Sequence, residues 1–201
     1  HAPADMPVVP PDMMPFFKEL TRGAIKAAFQ DIVGVQFRNG ATLGGSLWRR
    51  MGFSDVVALF LAMDSSVELF KGGVVPLEEF VRMPYDNDIL VRLIVKKRPG
   101  AFAYQAVRKQ RTDLPTLNCV AAKVGEEYRV VVGSRPARAM LLCDERGILA
   151  GGITEESAAA FADYAAGAVP VSGNMWGSAE YRRALVPVLV RRTLLALGEV
   201  R

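Results

Sequence analysis

KRPGAFAYQAVRKQRTDLPTLNCVAAKVGEEYRVVV, Lys97 to Val132, is where the chain changes character. A charged Pro/Gly break, Lys97-Arg98-Pro99-Gly100, is followed by one strand-like run after another. Phe102 to Val107, Leu117 to Val124 and Tyr128 to Val132 are short, apolar and bounded by turn residues, as strands are. Gly125-Glu126 makes a hairpin of the last two. Arg138 to Cys143 is either a fourth strand or the start of a helix. Two helices close the chain. Thr154 caps Glu155 to Ala166, ended by Gly167. Ser178 caps a long helix reaching Leu197, with a kink expected at Pro187, which has no amide hydrogen to donate. On that long helix Tyr181, Leu185, Val188 and Leu189 read as the buried face, and the arginines as solvent-exposed or paired with neighbouring carboxylates.

Upstream of the break, helices and strands mix. Residues 1–15 carry five prolines and read as an extended lead-in. Phe17, Leu20, Ala24 and Ile32 recur at helical spacing, predicting a helix from Phe16 to Ile32 that stops before Gly34. Val35 to Phe37 reads as extended, Arg38-Asn39-Gly40 as a turn, and Ala41 to Ser46 as a small-residue loop. Ser54 is placed to cap a helix bearing Val56, Leu59, Phe60 and Met63. Ser66 to Phe70 is a strand that turns at Lys71-Gly72-Gly73 into Val74-Val75. Pro76 opens a short helix, Leu77 to Val81, and Ile89 to Lys96 alternates as a strand. Helices and strands in the first half, then a small antiparallel sheet followed by helices, define an α+β fold. The break divides the chain into residues 1–97 and 98–201.

Composition narrows the function. Apolar residues make up 51 % of the 201, and the net charge is only +4. The basic pairs Arg49-Arg50, Arg182-Arg183 and Arg191-Arg192 are spread out and read as solvated surface, without the dense basic stripe and stacking aromatics of a nucleic-acid groove. No apolar run is long enough to span a membrane. Cys119 and Cys143 lie far apart in apolar runs, outside any CxxC. This argues against an iron–sulfur or zinc site built from these residues alone, and for buried, reduced thiols in the cytoplasm. The N-terminus lacks the apolar segment of a signal peptide. His1 is the only histidine, so no triad or histidine-ligated metal is expected, and redox chemistry would have to come from a bound cofactor.

Two segments carry the most information. In Gln36 to Leu47, QFRNGATLGGSL, the pair Gly44-Gly45 lets a backbone approach a ligand closely. Successive amide groups there can form an anion-binding concavity, flanked by the hydroxyls of Thr42 and Ser46. A tight turn between a strand and a helix is the plain alternative. The second segment, Ser178 to Arg183, reads as the start of a capped amphipathic helix.

Together these segments resemble the FAD-binding subunits of molybdenum hydroxylases, of the xanthine dehydrogenase and carbon monoxide dehydrogenase type. QFRNGATLGGSL is similar to the family's Q-I-R-N-x-x-T-I-G-G-N-L. The run from Asp55 to Met63 resembles its D-x-x-x-x-x-L-A-L, and DILVRLIV its E-I-L-x-x-I-x-I strand. GSAEYRRALVPVLVRRTL is close to its closing S-x-E-Y-R helix, and VVVGSRPARA resembles the stretch before that domain's helices. The resemblance runs from about residue 16 to the end.

It implies the second half of a two-part FAD-binding domain of the vanillyl-alcohol-oxidase type, followed by the flavoprotein C-terminal domain. Electrons would come from [2Fe–2S] clusters on a small subunit, themselves fed by a molybdopterin-binding large subunit, and leave through FAD to NAD or another acceptor. Carried over by position, Thr42, Gly44, Gly45 and Ser46 would line the flavin and its ribityl-phosphate side. Asp55 would hold an adenosine or ribityl hydroxyl, and Leu90 would pack on the isoalloxazine. Gln105 stands where many relatives have a lysine near the flavin. Ser46 replaces the expected asparagine, and Trp48-Arg49-Arg50-Met51-Gly52 replaces a small polar A-S-P run. The pyrophosphate-cradling A-G-G-T-D-L of the family's first half is not in this sequence. A docking module with weak or no FAD binding, in the same complex, is the alternative.

Overall fold

The computed structural model describes residues 14–200 except Val33 and Pro99. The proline-rich lead-in before Met14 and the proline of the break lie outside the described residues. The described part is α+β, with two antiparallel sheets.

The chain opens with α1 (Met14–Leu20) and α2 (Ala24–Phe29). One continuous helix was expected here. The chain instead breaks at Arg22 and Gly23, both at positive φ, and Gly23 adopts this left-handed turn without Cβ strain. Buried Thr21 bridges the break, donating to the Phe17 carbonyl at 2.7 Å and accepting from Ile25 N at 3.1 Å. Next come α3 (Val35–Gly40), α4 (Leu43–Arg49) and α5 (Asp55–Ala62). The expected extended piece and turn at Val35 to Gly40 are therefore helical. So are the glycines of the expected loop, because Thr42 caps α4 by accepting from Gly45 N.

The first sheet is built from β1 (Ser66–Leu69), β2 (Gly73–Pro76) and, after α6 (Leu77–Arg82), β3 (Leu90–Ile94), in the order β2-β1-β3. The second is a meander of β4 (Gly100–Val107), β5 (Leu117–Val124), β6 (Glu127–Gly133) and β7 (Met140–Cys143). The stretch from Arg138 thus resolves as a strand. Finally α7 (Glu155–Ala168) runs through Gly167, and α8 (Ala179–Glu199) continues on both sides of Pro187.

β5 shows why its sequence is a run rather than an alternation. Val120, Ala122 and Val124 face a core shared with α2 and α5. Leu117, Cys119 and Ala121 face a second core with α7 and α8. Both faces of the sheet are covered, so both sets of side chains are apolar. The first core also takes in Val67, Leu69 and Phe80, and so joins the two sheets across the Lys97–Gly100 break.

α5 is the hub, with every residue buried. Ser54 caps it, accepting from Val57 N at 3.2 Å, and buried Arg129 donates to the Leu61 and Ala62 carbonyls at its other end. That cation meets the negative end of the helix dipole. The start of α5 is pressed against the second sheet where the backbone passes Gly52 and Gly133. A Cβ on Gly52 would collide with the Ala137 carbonyl, and one on Gly133 with Asn118 Oδ1.

Three expectations about polar side chains fail. Arg50 is 2 % exposed. Its guanidinium lies 4.3 Å from the Phe80 ring and 4.5 Å from that of Tyr85, and donates to the Phe80, Met83 and Pro84 carbonyls. Arg182 is 1 % exposed, whereas Tyr181 and Val188 are exposed. The inward face of α8 is instead Arg182, Val186, Leu189, Val190, Thr193, Leu194 and Leu197. Lastly, Cys143 is half-buried, and only Cys119 is fully buried.

Candidate functional site

A cavity of about 350 Å³ opens where α3, α4 and the start of α5 meet the loop after β4. Its apolar wall includes Phe37, Met51, Phe53 and Leu114, and its polar positions include Thr42, Ser46, Arg49 and Arg108. Local chemistry sets the α4 side. Thr42 Oγ1 accepts from Gly45 N at 3.0 Å, and Ser46 Oγ donates to the Thr42 carbonyl at 3.1 Å. A Cβ on Gly45 would sit 2.9 Å from Thr42 Oγ1, so a side chain there presses on the cap.

Of the expected site residues, Thr42, Gly45, Ser46 and Asp55 border this cavity; Gly44, Leu90 and Gln105 do not. Gly44 backs onto β3, with Leu90 Cδ2 at 4.0 Å from an added Cβ. Gln105 borders a second, more polar recess of about 500 Å³ with Tyr104 and Lys109, and its amide lies 3.4 Å from the Arg192 carbonyl.

Asp55 is 4 % exposed, and its carboxylate is engaged on both oxygens. Oδ1 accepts from Tyr104 Oη and from Asn118 Nδ2, each at 2.6 Å. Oδ2 accepts from Arg108 Nη2 at 2.7 Å. Arg108 also donates to Tyr104 Oη and to the Asp113 carbonyl. Burial, and then the charge of Asp55, push the Tyr104 phenol well above its usual pKa. Burial works against the Arg108 cation, but Asp55 and Tyr104 outweigh it, so its pKa is raised. The result is a neutral phenol and a permanent cation held on a buried carboxylate, with Arg108 facing both recesses.

The sequence reading did not single out Arg108, Tyr104 or Asn118. They come from β4, the residue just after it and β5, far along the chain from Asp55. The only local sign was the end of a strand-like run at Val107. Among the described residues, no group of three His, Cys, Asp or Glu is placed to hold a metal, and no helix is long and apolar enough to cross a membrane.

Residues 12–97 match the family described as "FAD binding domain in molybdopterin dehydrogenase". The chain is 26 % identical over 186 residues to the nicotine 6-hydroxylase medium subunit of Paenarthrobacter nicotinovorans, covering 86 % of this chain and 66 % of that protein. The reconstituted CO dehydrogenase from Oligotropha carboxidovorans superposes with a TM-score of 0.79 at 17 % identity, over 92 % of this chain and 70 % of that one. Residues 12–97 thus carry the likeness to that FAD-binding family, and most of the chain shares the fold of the CO dehydrogenase chain. It spans just under two thirds of the nicotine hydroxylase subunit's length. A stretch of 31 residues, 15 % of this chain, is 87 % identical to the ribosomal RNA small subunit methyltransferase H of Bifidobacterium adolescentis, but covers only 9 % of that protein.

Proposed function

We propose that this chain is the FAD-carrying electron-transfer part of a molybdenum hydroxylase. Residues 1–97 would be the second half of the two-part flavin domain and residues 98–201 the flavoprotein C-terminal domain. The flavin would take electrons from [2Fe–2S] clusters on a partner subunit, fed in turn by a molybdopterin-binding large subunit, and pass them to NAD or another acceptor. Such a complex would work in the cytoplasm.

The cavity at the start of α4 is the observation that supports this reading. Its volume lies at the low end of the roughly 300–1,000 Å³ of small-molecule sites, so it suits one end of a dinucleotide rather than the whole. Phe37, Met51 and Leu114 offer the apolar surface a flat ring needs. The Thr42 hydroxyl, which accepts from Gly45 N and keeps its own hydrogen, can donate to phosphate or ribityl oxygens. Arg108, held on Asp55, and Arg49 bring positive charge to the same space. FAD, when bound, supplies the electron-accepting ring. The chain binds it, orients it and screens it from water. Asp55 acts here through Arg108 rather than by gripping the ligand itself, while Gly44, Leu90 and Gln105 stay outside this contact set.

The docking-module reading is favoured by one observation. The polar groups of Asp55 and Ser46 are already spent on internal hydrogen bonds. The two readings separate by reconstituting the purified chain with FAD, removing the excess and recording the visible spectrum. The electron-transfer reading expects retained flavin bands. Colourless protein that still co-purifies with an iron–sulfur and a molybdopterin chain would favour the docking module.

A further inference from the structure

Buried Arg182 makes four hydrogen bonds, all to neutral acceptors. Nε donates to the Thr116 carbonyl at 2.9 Å, Nη1 to the carbonyls of Ser172 (2.9 Å) and Gly177 (2.5 Å), and Nη2 to Asn174 Oδ1 at 2.6 Å. Burial lowers its pKa. Holding a guanidinium inside a protein without a carboxylate on it is costly, and every one of these bonds goes to the loop before α8 or to Thr116, the residue before β5.

That loop leads to the cavity. Asn174 Oδ1 also accepts from Trp176 N at 3.0 Å, and the Trp176 carbonyl lies 3.3 Å from Thr116 Oγ1. Trp176 Nε1 donates to Asp113 Oδ1 at 3.3 Å, which also accepts from Leu114 N at 2.8 Å. Lys109 Nζ donates to the Met175 carbonyl at 3.2 Å, and the Asp113 carbonyl accepts from Arg108 at 2.8 Å. Arg108, Asp113 and Leu114 all border the cavity.

We infer that Arg182 is a positioning residue: through the Ser172–Gly177 strap and the Trp176–Asp113 bond it holds the Arg108–Leu114 wall of the cavity in place. Its relevance to flavin rests on the function proposed above; its hold on the wall does not. Lysine cannot replace it, because a single ammonium group does not reproduce the planar fork that reaches these separated acceptors.

The test is amide hydrogen exchange on the full chain, with FAD titration alongside, for wild type, Arg182→Lys and Trp176→Phe. Trp176→Phe removes the indole donor and one ring of a half-buried loop side chain that lies outside both hydrophobic cores. Both variants are expected to speed exchange across residues 108–116, by about tenfold for Arg182→Lys, with α7 unchanged. Trp176→Phe is expected to weaken FAD binding about fivefold, the worth of one ordinary hydrogen bond. Should Arg182→Lys fail to fold, Trp176→Phe decides alone. Unchanged exchange at 108–116 in a folded variant overturns the inference. A wild type that binds no FAD sinks the flavin reading instead, and leaves the exchange result to judge the strap.

Discussion

Asp55 is the residue on which the site turns. Its carboxylate collects Tyr104, Asn118 and Arg108 in a nearly dry setting, and removing one side of a buried pair strands the other. Asp55→Asn is expected to cost about 3 kcal/mol, read as a shifted urea midpoint; an unshifted midpoint would show the network to be dispensable. Cys119 is fully buried, and burial pushes its thiol up to about 12 despite a hydrogen bond with Thr193. It should resist alkylation at pH 8 until the protein unfolds, because the thiolate is the reactive form; rapid labelling of the folded chain would contradict this. Asp88 behaves oppositely. What burial there is raises its pKa, but the amides of Lys71, Ile89 and Gly72 outweigh it, and the net shift is downward. A carboxylate lowered on folding stabilises above its unfolded pKa, and that contribution is lost as pH falls through the folded value. Melting temperature should therefore fall less steeply with acid in Asp88→Asn than in wild type. Parallel acid branches would remove this role.

At the scale of elements, the capped helices were the most legible part of the sequence. Ser54, Thr154 and Ser178 each cap a helix through their own hydroxyl, because a short polar side chain before an apolar periodic run has few other uses. Ser54→Ala is expected to cost about 1 kcal/mol, measured by denaturant unfolding, and no loss would mean the cap is idle. The strands of the second sheet were legible for a similar reason, being short apolar runs cut by turns. The faces of α8 were not. Hydropathy points arginines outward, and nothing near Arg182 in sequence reveals acceptors at Thr116, Ser172, Asn174 and Gly177. Arg50 hid in the same way, since its stacking partners Phe80 and Tyr85 lie some thirty residues on. The glycines of α4 misled because Gly44-Gly45 suggests a loop, whereas Thr42 had already supplied the cap that lets a helix begin.

For the whole molecule, the consequence of the shared core is cooperativity. Val67 and Phe80 from the first sheet's side pack in one cluster with Phe102, Val120 and Val131 from the second, and α5 lies between them. The two halves should melt as one, with coincident transitions by circular dichroism and tryptophan fluorescence; two separated transitions would show that the Lys97–Gly100 break divides independent units. The fold class was readable from the sequence, but this mutual burial was not, since it depends on the faces each sheet turns to α5. The same packing fixes α4 and the Arg108 loop on opposite sides of one cavity. FAD is the proposed occupant of that cavity. Equilibrium titration with FAD, comparing wild type with Gly45→Val, decides whether it binds there. Wild type should bind saturably and the variant at least about tenfold more weakly, or 1.4 kcal/mol, with the fold retained and the melting temperature lowered only by the strained Thr42 cap. Equal affinity in the two proteins would contradict it.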